Sequence, residues 1–464
     1  MSLGVRLWAG GRVLVGGSPW KVSTLAPSVQ DLVLRLFAAG AAGIPVSTPG
    51  DRAALRVLLD RGFAERAPGP ATSAAAEDVD IVVPVLDDAA RLRELLRTLP
   101  EGRVLVVDDG SADPRVVKSV AQAANARLLR HEANRGPAAA RNTGLKQGNA
   151  PFVAFIDADC RADRNWPAGL LGHFEDPAVA AVAPRIRPLD GGHSLLERYE
   201  DARSSLDMGG QPSLVRPGAR LGFVPSAALI VRRAALERGG FDGALRLGED
   251  VDLVWRLAEA GWLIRYDPSV TVRHGTRTRL GSWLQRKKEY GSSAPALEDR
   301  HPGNLAPARP SAWSVLTLLL VAGGQPAVGA LVQVVPFVIL ARKFRSVPHG
   351  GALAALVTTQ GLVADASGIG QALRREWWPA GTVILVTALW SRPARVAALM
   401  MLIPLALEWV ERRPALDPLR YALLRLVDDA AYGSGVIESS LAIPTVRTLL
   451  PAVKGLGRRA SRRT

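Results

Sequence analysis

Asp157 and Asp159 stand one residue apart at the end of the apolar run Phe152-Val153-Ala154-Phe155-Ile156. The run, bounded by Pro151, predicts a buried strand, along which side chains alternate. Where the chain turns out of a sheet, both carboxylates can face one cleft. Paired oxygen ligands at a strand's C-terminal end suit a hard divalent cation carrying phosphates. An acidic turn after a strand accounts for the same two residues more simply, so their company decides between the readings. Asp108-Asp109-Gly110-Ser111 closes a second apolar run, Arg103 to Val107, and Gly248-Glu249-Asp250 opens an apolar helical pattern. A carboxylate in a helix's first turn is stabilised by the macrodipole, so capping alone would explain Glu249 or Asp250. Val270-Thr271-Val272-Arg273-His274 predicts another strand, with a histidine at its end.

These residues need elements to hold them. Asp80-Ile81-Val82-Val83-Pro84-Val85-Leu86 predicts a buried strand, and Leu92, Leu95, Leu96 and Leu99 line one face of a helix over Arg91 to Leu99. Strands alternating with helices predict a mostly parallel α/β sheet whose ligand site lies beyond the strands' C-terminal ends. Pro84, Asp109, Asp157 and Asp159 all fall at such ends. The order is far more specific than any single motif.

With V-V-P-V, V-V-D-D-G-S, Asn134-x-Gly136 followed by Ala140-Arg141-Asn142-x-Gly144, F-I-D-A-D, and Gly248-Glu249-Asp250 with Asp252 and Arg256 in view, residues 79 to 275 resemble the family 2 glycosyltransferases of GT-A fold. The resemblance implies a nucleotide-sugar donor, with Asp109 accepting from the uracil imide and Pro84 and its neighbours lining the base. It implies Asp157 at the ribose, Asp159 on a manganese or magnesium ion at the diphosphate, and Arg141 against the nucleotide. The resemblance also implies Glu249 as a residue of the substrate site. Asp250 is implied as the general base that deprotonates the attacking sugar hydroxyl, giving inversion at the anomeric carbon. His274 is implied as a further metal ligand. Zinc is disfavoured, since the sequence shows no Cys/His cluster. Local roles compete: Asp108 to fix a turn, Asn142 to cap a helix. Trp283-Leu284-Gln285-Arg286-Lys287-Lys288 departs from the Q-x-x-R-W signature of processive members, although its basic residues suit a diphosphate.

At 464 residues the chain is long enough for about three domains. Its one cysteine, Cys160, excludes an internal disulfide and suits a reducing compartment. The net charge of +15 is not interleaved with aromatics as a nucleic-acid stacking platform requires, so sugar nucleotides and anionic headgroups are the expected partners, and nucleic acid is not. Met1 to Leu7 show no signal-peptide core, so catalysis is expected on the cytoplasmic side.

Residues 1–76 predict a separate module. Two short strands, Arg12 to Val15 and Trp20 to Leu25, flank a turn; a helix bearing Leu32, Leu34, Leu36 and Phe37 is capped by Ser28; a second spans Asp51 to Arg61. The order is winged-helix-like and resembles peptide-recognition domains of ribosomal-peptide-modifying systems, which take a peptide along the hairpin edge. An accessory domain packed on the catalytic one is the alternative. Ala67 to Glu77, rich in Pro, Ala, Gly and Ser, is the expected linker, and the catalytic domain covers residues 78–300.

Residues 310–464 predict an apolar helical, membrane-associated region. No charge occurs from Pro310 to Ala341, about 48 Å as helix. Gly323, Gly324, Gln325, Pro326 and Pro336 interrupt it, so one kinked span or a re-entrant hairpin fits, and two full spans do not. Further apolar stretches run over Gly350 to Val363, Pro379 to Trp390 and Val396 to Trp409, with Arg342, Lys343, Arg345, Arg392 and Arg395 suited to cytoplasmic loops of the cell membrane. A soluble all-helical domain is the competing account. Trp377-Trp378 suits an interfacial anchor or a core, and Leu423 to Leu450, with Gly433 and Gly435, predicts a helix.

The order of module, transferase domain and apolar helices, together with Tyr290 to Leu297, is similar to the glycosyltransferases of mycofactocin systems. That resemblance implies UDP-glucose as donor, β-1,4 linkages and a peptide-derived redox-cofactor acceptor. A membrane glycosyltransferase acting on a lipid-linked envelope glycan is the alternative. An inactive binding module is disfavoured by Asp109, Asp159 and Asp250. A sugar nucleotidyltransferase is disfavoured because Val85-Leu86-Asp87-Asp88 is no glycine-rich loop.

Overall fold

The computed structural model describes residues 1, 4–65, 76–100, 103–164, 166–189, 192, 194–277, 279–443 and 445–454. They form two compact units, residues 1–191 with 203–276, and residues 192–202 with 277–464.

In the first unit, three strands, β1 (Arg6–Trp8), β2 (Val13–Gly16) and β3 (Lys21–Thr24), form an antiparallel sheet in that order. Helices α1 (Pro27–Ala39) and α2 (Pro49–Asp60) bury Leu32, Val33 and Leu58 with Leu14 and Phe63. The sequence signals two strands; the third, β1, is three residues long and too short to carry a pattern of its own. Ser28 is not the cap. Helix α1 starts at Pro27 behind Ala26, which offers no side-chain hydrogen bond. Pro27 already supplies a preset φ and no orphan N–H. Thr48 caps α2 by accepting from the Asp51 N–H at 3.0 Å. The linker expected over Ala67 to Glu77 lies largely outside the described residues.

The larger sheet is of the GT-A type. Its strands are β4 (Val79–Val85), β5 (Val104–Asp108), β6 (Arg127–Arg130), β7 (Phe152–Ile156), β8 (Cys160–Arg161), β9 (Val179–Pro188), β10 (Ser213–Val215), β11 (Ala228–Arg232) and β12 (Leu263–His274). Strand order is β10-β12-β9-β11-β7-β4-β5-β6, with β8 pairing β12. β7, β4, β5 and β6 are mutually parallel, as α3 (Ala89–Leu96), α4 (Pro114–Ala123) and α5 (Pro137–Gln147) carry the chain back between them. β11 runs antiparallel between β7 and β9. The short helix α6 (Ala168–Leu171) and α8 (Glu249–Glu259) complete the α/β layer order up to β12, whereas α7 (Leu195–Arg203) belongs, but for Arg203, to the second unit. Continuous Val, Ile and Leu runs make β4, β5 and β7 buried on both faces, as a covered parallel sheet requires.

The N-terminal module joins this sheet through named pairs. Arg56 reaches both oxygens of Asp176 at 2.9 Å, and Glu65 pairs with Arg265 at 2.9 Å.

The second unit is helical: α9 (Leu280–Ser292), α10 (Ala294–Arg300), α11 (Ala312–Ala322), α12 (Pro326–Lys343), α13 (Gly350–Arg374), α14 (Trp378–Thr387), α15 (Arg392–Arg412) and α16 (Pro418–Ala442). The uncharged run from Pro310 forms a hairpin of α11 and α12, broken at Gly323-Gly324. Gln333 of α12 donates to Thr317 of α11 at 2.7 Å, and Thr317 donates to the Gly329 carbonyl at 3.3 Å. By continuing to Lys343, α12 reaches 18 residues, and with α13 and α15 it is long and apolar enough to cross a membrane. Trp377 and Trp378 are half-buried and make contacts within this unit. The Trp377 indole donates to the Leu449 carbonyl at 2.8 Å, and Trp378 lies against Gly433. The basic residues of α9 are also committed within this unit. Lys287 is buried against Glu200 at 2.9 Å, Lys288 pairs with Glu438 at 2.8 Å, and Arg286 with Glu289 at 3.2 Å, which removes them from the diphosphate role expected of them.

Candidate active site

The turn after β7 is sewn to the end of β12. Cys160 pairs with His274 in the β8–β12 ladder, and the Gly275 N–H donates to the Asp159 carbonyl at 3.0 Å. This pairing brings residues 115 positions apart together, and Nε2 of His274 lies 3.2 Å from Oδ1 of Asp159. Arg91, in the first turn of α3, approaches Oδ2 at 4.0 Å. Burial raises the Asp159 carboxyl, the His274 ring opposes that, and Asp157 adds to it.

A carboxylate and an imidazole converging at this distance fit a hard divalent ion. The sequence showed no Cys/His cluster, yet the thiol of Cys160 lies with Asp159 and His274 in one group whose ligand atoms are within 4.8 Å of one another. The ladder between distant strands creates that cluster. Cys160 is nonetheless buried, donates to the Ala227 carbonyl at 3.3 Å, and is pushed well above the usual thiol range by burial and the two aspartates. A thiol held neutral is a poor ligand, so the oxygen–nitrogen pair defines the site's hardness.

Arg141 is the hub. Its Nη2 donates to Asp157 at 2.6 Å and its Nη1 to Glu249 at 2.8 Å, with the guanidinium over the Phe241 ring at 5.3 Å. Burial works against its charge, but Asp157 and Glu249 outweigh it and hold the guanidinium more firmly protonated than usual. The side chain is therefore buried behind the two carboxylates, where it orients them instead of lying open in the cleft. Asn142, one residue on, caps no helix end. It sits inside α5, accepting from the Phe241 N–H at 2.9 Å and donating to the Phe241 carbonyl at 2.7 Å.

Gly248 adopts φ of 81°, a left-handed value that favours glycine, and so starts α8 with Glu249 and Asp250 in its first turn. Burial, aided by the Asp250 charge and opposed by Arg141, lifts Glu249 to about 7. Asp250 is half-buried and also raised, by burial, with Arg141 and two backbone donors opposing. Those donors are the Ser226 N–H at 3.2 Å and the Val251 N–H at 2.8 Å. Beyond them, Asp252 of α8 binds Arg256 at 2.7 Å.

Asp108 fixes the turn after β5: it accepts from the Ser111 N–H at 2.9 Å and from Arg130. Asp109 is buried and accepts from the N–H groups of Arg135 at 3.0 Å and Gly136 at 2.8 Å. Its Oδ1 also lies 2.6 Å from Nδ1 of His131, whose Nε2 is 2.8 Å from Oγ1 of Thr143. The two ring nitrogens of His131 thus link Asp109 to Thr143 in one hydrogen-bonded chain. His131 and Thr143 carry no sequence signal, because only the β5–β6 register places His131 beside Asp108, whose carbonyl accepts its N–H at 2.9 Å. Pro84 is half-buried near the end of β4, opposite Val107 of β5.

Residues 80–239 match the Glycosyl transferase family 2 profile. Over 465 aligned residues the chain is 38% identical to the pre-mycofactocin glycosyltransferase of Mycobacterium tuberculosis, covering 97% of this chain and 96% of that protein. The chain belongs to glycosyl transferase family 2. This glycosyltransferase is also 32% identical over 208 residues to the succinoglycan biosynthesis protein ExoU of Rhizobium meliloti, covering 41% of this chain and 59% of that one. Among solved structures, the mannosyltransferase PcManGT from Pyrobaculum calidifontis, in complex with GDP-Man and Mn2+, is similar at 19% identity and a TM-score of 0.41, covering 86% of this chain and 98% of that one. Asp250 and His274 lie beyond the family match.

Proposed function

We propose that this glycosyltransferase moves a hexose, glucose from UDP-glucose, onto a peptide-derived redox-cofactor precursor at the cytoplasmic face of the cell membrane, with inversion and with extension through β-1,4 linkages. The observation that carries the reading is the 38% identity to a pre-mycofactocin glycosyltransferase along nearly the whole chain. A likeness confined to the catalytic domain would not reach the N-terminal module or the apolar helices.

In this reading Asp159 and His274 hold a manganese or magnesium ion, and Asp157 meets the ribose. Pro84 and Asp109 face the base, where one oxygen of Asp109 keeps acceptor capacity beyond its single internal partner. Arg141 fixes Asp157 and Glu249, so the donor side and the α8 turn move as one piece. When bound, the ion supplies positive charge where the leaving diphosphate gains negative charge. Asp250 takes the proton of the acceptor hydroxyl as its oxygen attacks the anomeric carbon from the face opposite UDP. Burial raises the Asp250 carboxyl, which makes it a stronger base than an ordinary aspartate, and Arg141 opposes that rise. The new glycosidic bond forms as the bond to UDP breaks, which inverts the anomeric configuration.

Asp250→Asn is expected to keep UDP affinity within about threefold by calorimetry while transfer falls by roughly 10² to 10⁴. Full activity in that variant refutes the base assignment. The three apolar helices long enough to span a bilayer suit a lipid-linked envelope glycan as second acceptor class. Removing residues 1–76 separates the two: a peptide-derived acceptor loses recognition, and a lipid acceptor does not.

A further inference from the structure

Arg91 stands where local structure does not ask for a cation. It is the third residue of α3, and positive charge in a helix's first turn is opposed by the macrodipole. Asp88 at the N-cap offsets this: its Oδ1 accepts from the Arg91 N–H at 3.2 Å, and its Oδ2 accepts from the guanidinium Nη1 at 3.2 Å. An exposed pair one turn apart is a weak tether, and the Arg91 side chain is 52% exposed. The same Nη1 lies 4.0 Å from Oδ2 of Asp159, which is within Coulomb range but too long for a hydrogen bond. The guanidinium reaches this place over Gly275, where a Cβ would stand 3.6 Å from its Cζ. Asp159 therefore faces His274 with one oxygen and Arg91 with the other.

A divalent ion on Asp159 and His274 reverses what Arg91 faces. Two positive charges then outweigh the carboxylate, and ion and guanidinium repel. An anion that touches both removes the repulsion, and a diphosphate has oxygens enough for the ion and for the guanidinium's fork of donors. We propose that Arg91 is a substrate-binding residue: it competes with the metal for Asp159 in the free enzyme and turns to the donor's diphosphate when that arrives. Metal and diphosphate then enter cooperatively, each strengthening the other by one and the same factor. The Asp88 tether keeps the guanidinium within reach of both positions. The inference rests on the metal and nucleotide-sugar reading proposed above and adds the residue that makes the two ligands depend on each other.

The test uses the full chain in detergent micelles, with Mn2+ binding followed by the electron paramagnetic resonance of the free ion and nucleotide binding by calorimetry. In Arg91→Gln, Mn2+ alone is expected to bind about threefold tighter, because a competing cation is gone. UDP with saturating Mn2+ is expected to bind about tenfold weaker, and uridine as in the wild type. Arg91→Lys, which keeps the charge and loses the fork, should hold Mn2+ as the wild type does and UDP with intermediate affinity. The gain in Mn2+ affinity is a readout that a damaged fold would not give. Unchanged or weaker Mn2+ binding in Arg91→Gln overturns the proposal, as does a loss of uridine affinity equal to that of UDP. Those results leave the donor reading standing if the wild type binds UDP with Mn2+. A wild type that binds Mn2+ but no nucleoside diphosphate refutes the donor reading itself, and the role of Arg91 falls with it.

Discussion

Arg141 holds Asp157 with one terminal nitrogen and Glu249 with the other, so charge at the β7 turn and at the start of α8 is set by one buried cation. Glu249 shows the consequence in its titration. Its carboxyl rises from an ordinary 4.5 to about 7 in the fold, so the folded state holds that proton more tightly than the unfolded one. The resulting stability is complete below about 4.5 and is lost as pH climbs through about 7. Between pH 5 and 8 the unfolding free energy of the wild type is therefore expected to fall by more than that of Glu249→Gln, on the order of 3 kcal/mol, read as a steeper decline in melting temperature. Parallel melting profiles would contradict this. His131 acts one step further back, through Asp109. In His131→Ala the donor KM is expected to rise about tenfold, roughly 1.4 kcal/mol, with kcat little changed, as removal of uniform binding requires. Thr143→Val, which leaves the ring nitrogen unsatisfied, should shift KM the same way by less. Equal losses in kcat and kcat/KM would assign these residues to the chemical step instead.

Elements meet at this site because short pieces of backbone approach closely. The two-residue strand β8 has little stability of its own, yet its pairing with Arg273 and His274 is what sets Asp159 against His274. In the helical unit glycines do comparable work. A Cβ on Gly435 of α16 would stand 1.9 Å from the Lys288 carbonyl of α9, and one on Gly291 of α9 would stand 1.9 Å from the Tyr432 carbonyl. Backbone cannot yield as a flexible side chain can, so Gly435→Ala should separate the helices and cost about 1–3 kcal/mol. Gly351→Ala in α13, where nothing lies within 4 Å, should be neutral or slightly stabilising. Thermal melts of the two variants in the same detergent check the contrast, and equal melting temperatures would remove the close-packing account.

At the scale of the whole molecule, a water-compatible transferase sheet shares a chain with helices that leave much apolar surface uncovered. Leu319, Leu331, Val363 and Leu407 are each at least 60% exposed, and only 6–22% of the three candidate spans is buried within the protein. Contiguous apolar surface of this kind calls for a cover, and three helices of spanning length suit a bilayer in that part. The expressed chain should sediment with membranes and stay there through alkaline carbonate extraction. Recovery in the soluble fraction would return the region to an ordinary helical domain.

Sequence alone pointed to the strand ends that carry Pro84, Asp109, Asp157 and Asp159, since apolar runs of strand length bounded by turn residues suit buried strands of a covered sheet. It also determined the helix start at Gly248 and the uncharged stretch from Pro310. Tertiary structure decided which of these groups meet. Arg141 reads from its motif as a cleft residue, but with α5 packed on β4 and β5 its side chain is buried between Asp157 and Glu249. His131 and Cys160 gained their partners through strand register and Thr143 through the placing of α5, and Lys287 and Lys288 of α9 were drawn to carboxylates far away in the chain. Periodicity reports which face of an element is apolar. Hydrogen bonds and ion pairs act over about 3 Å, and no residue spacing fixes distances that short between elements distant in sequence.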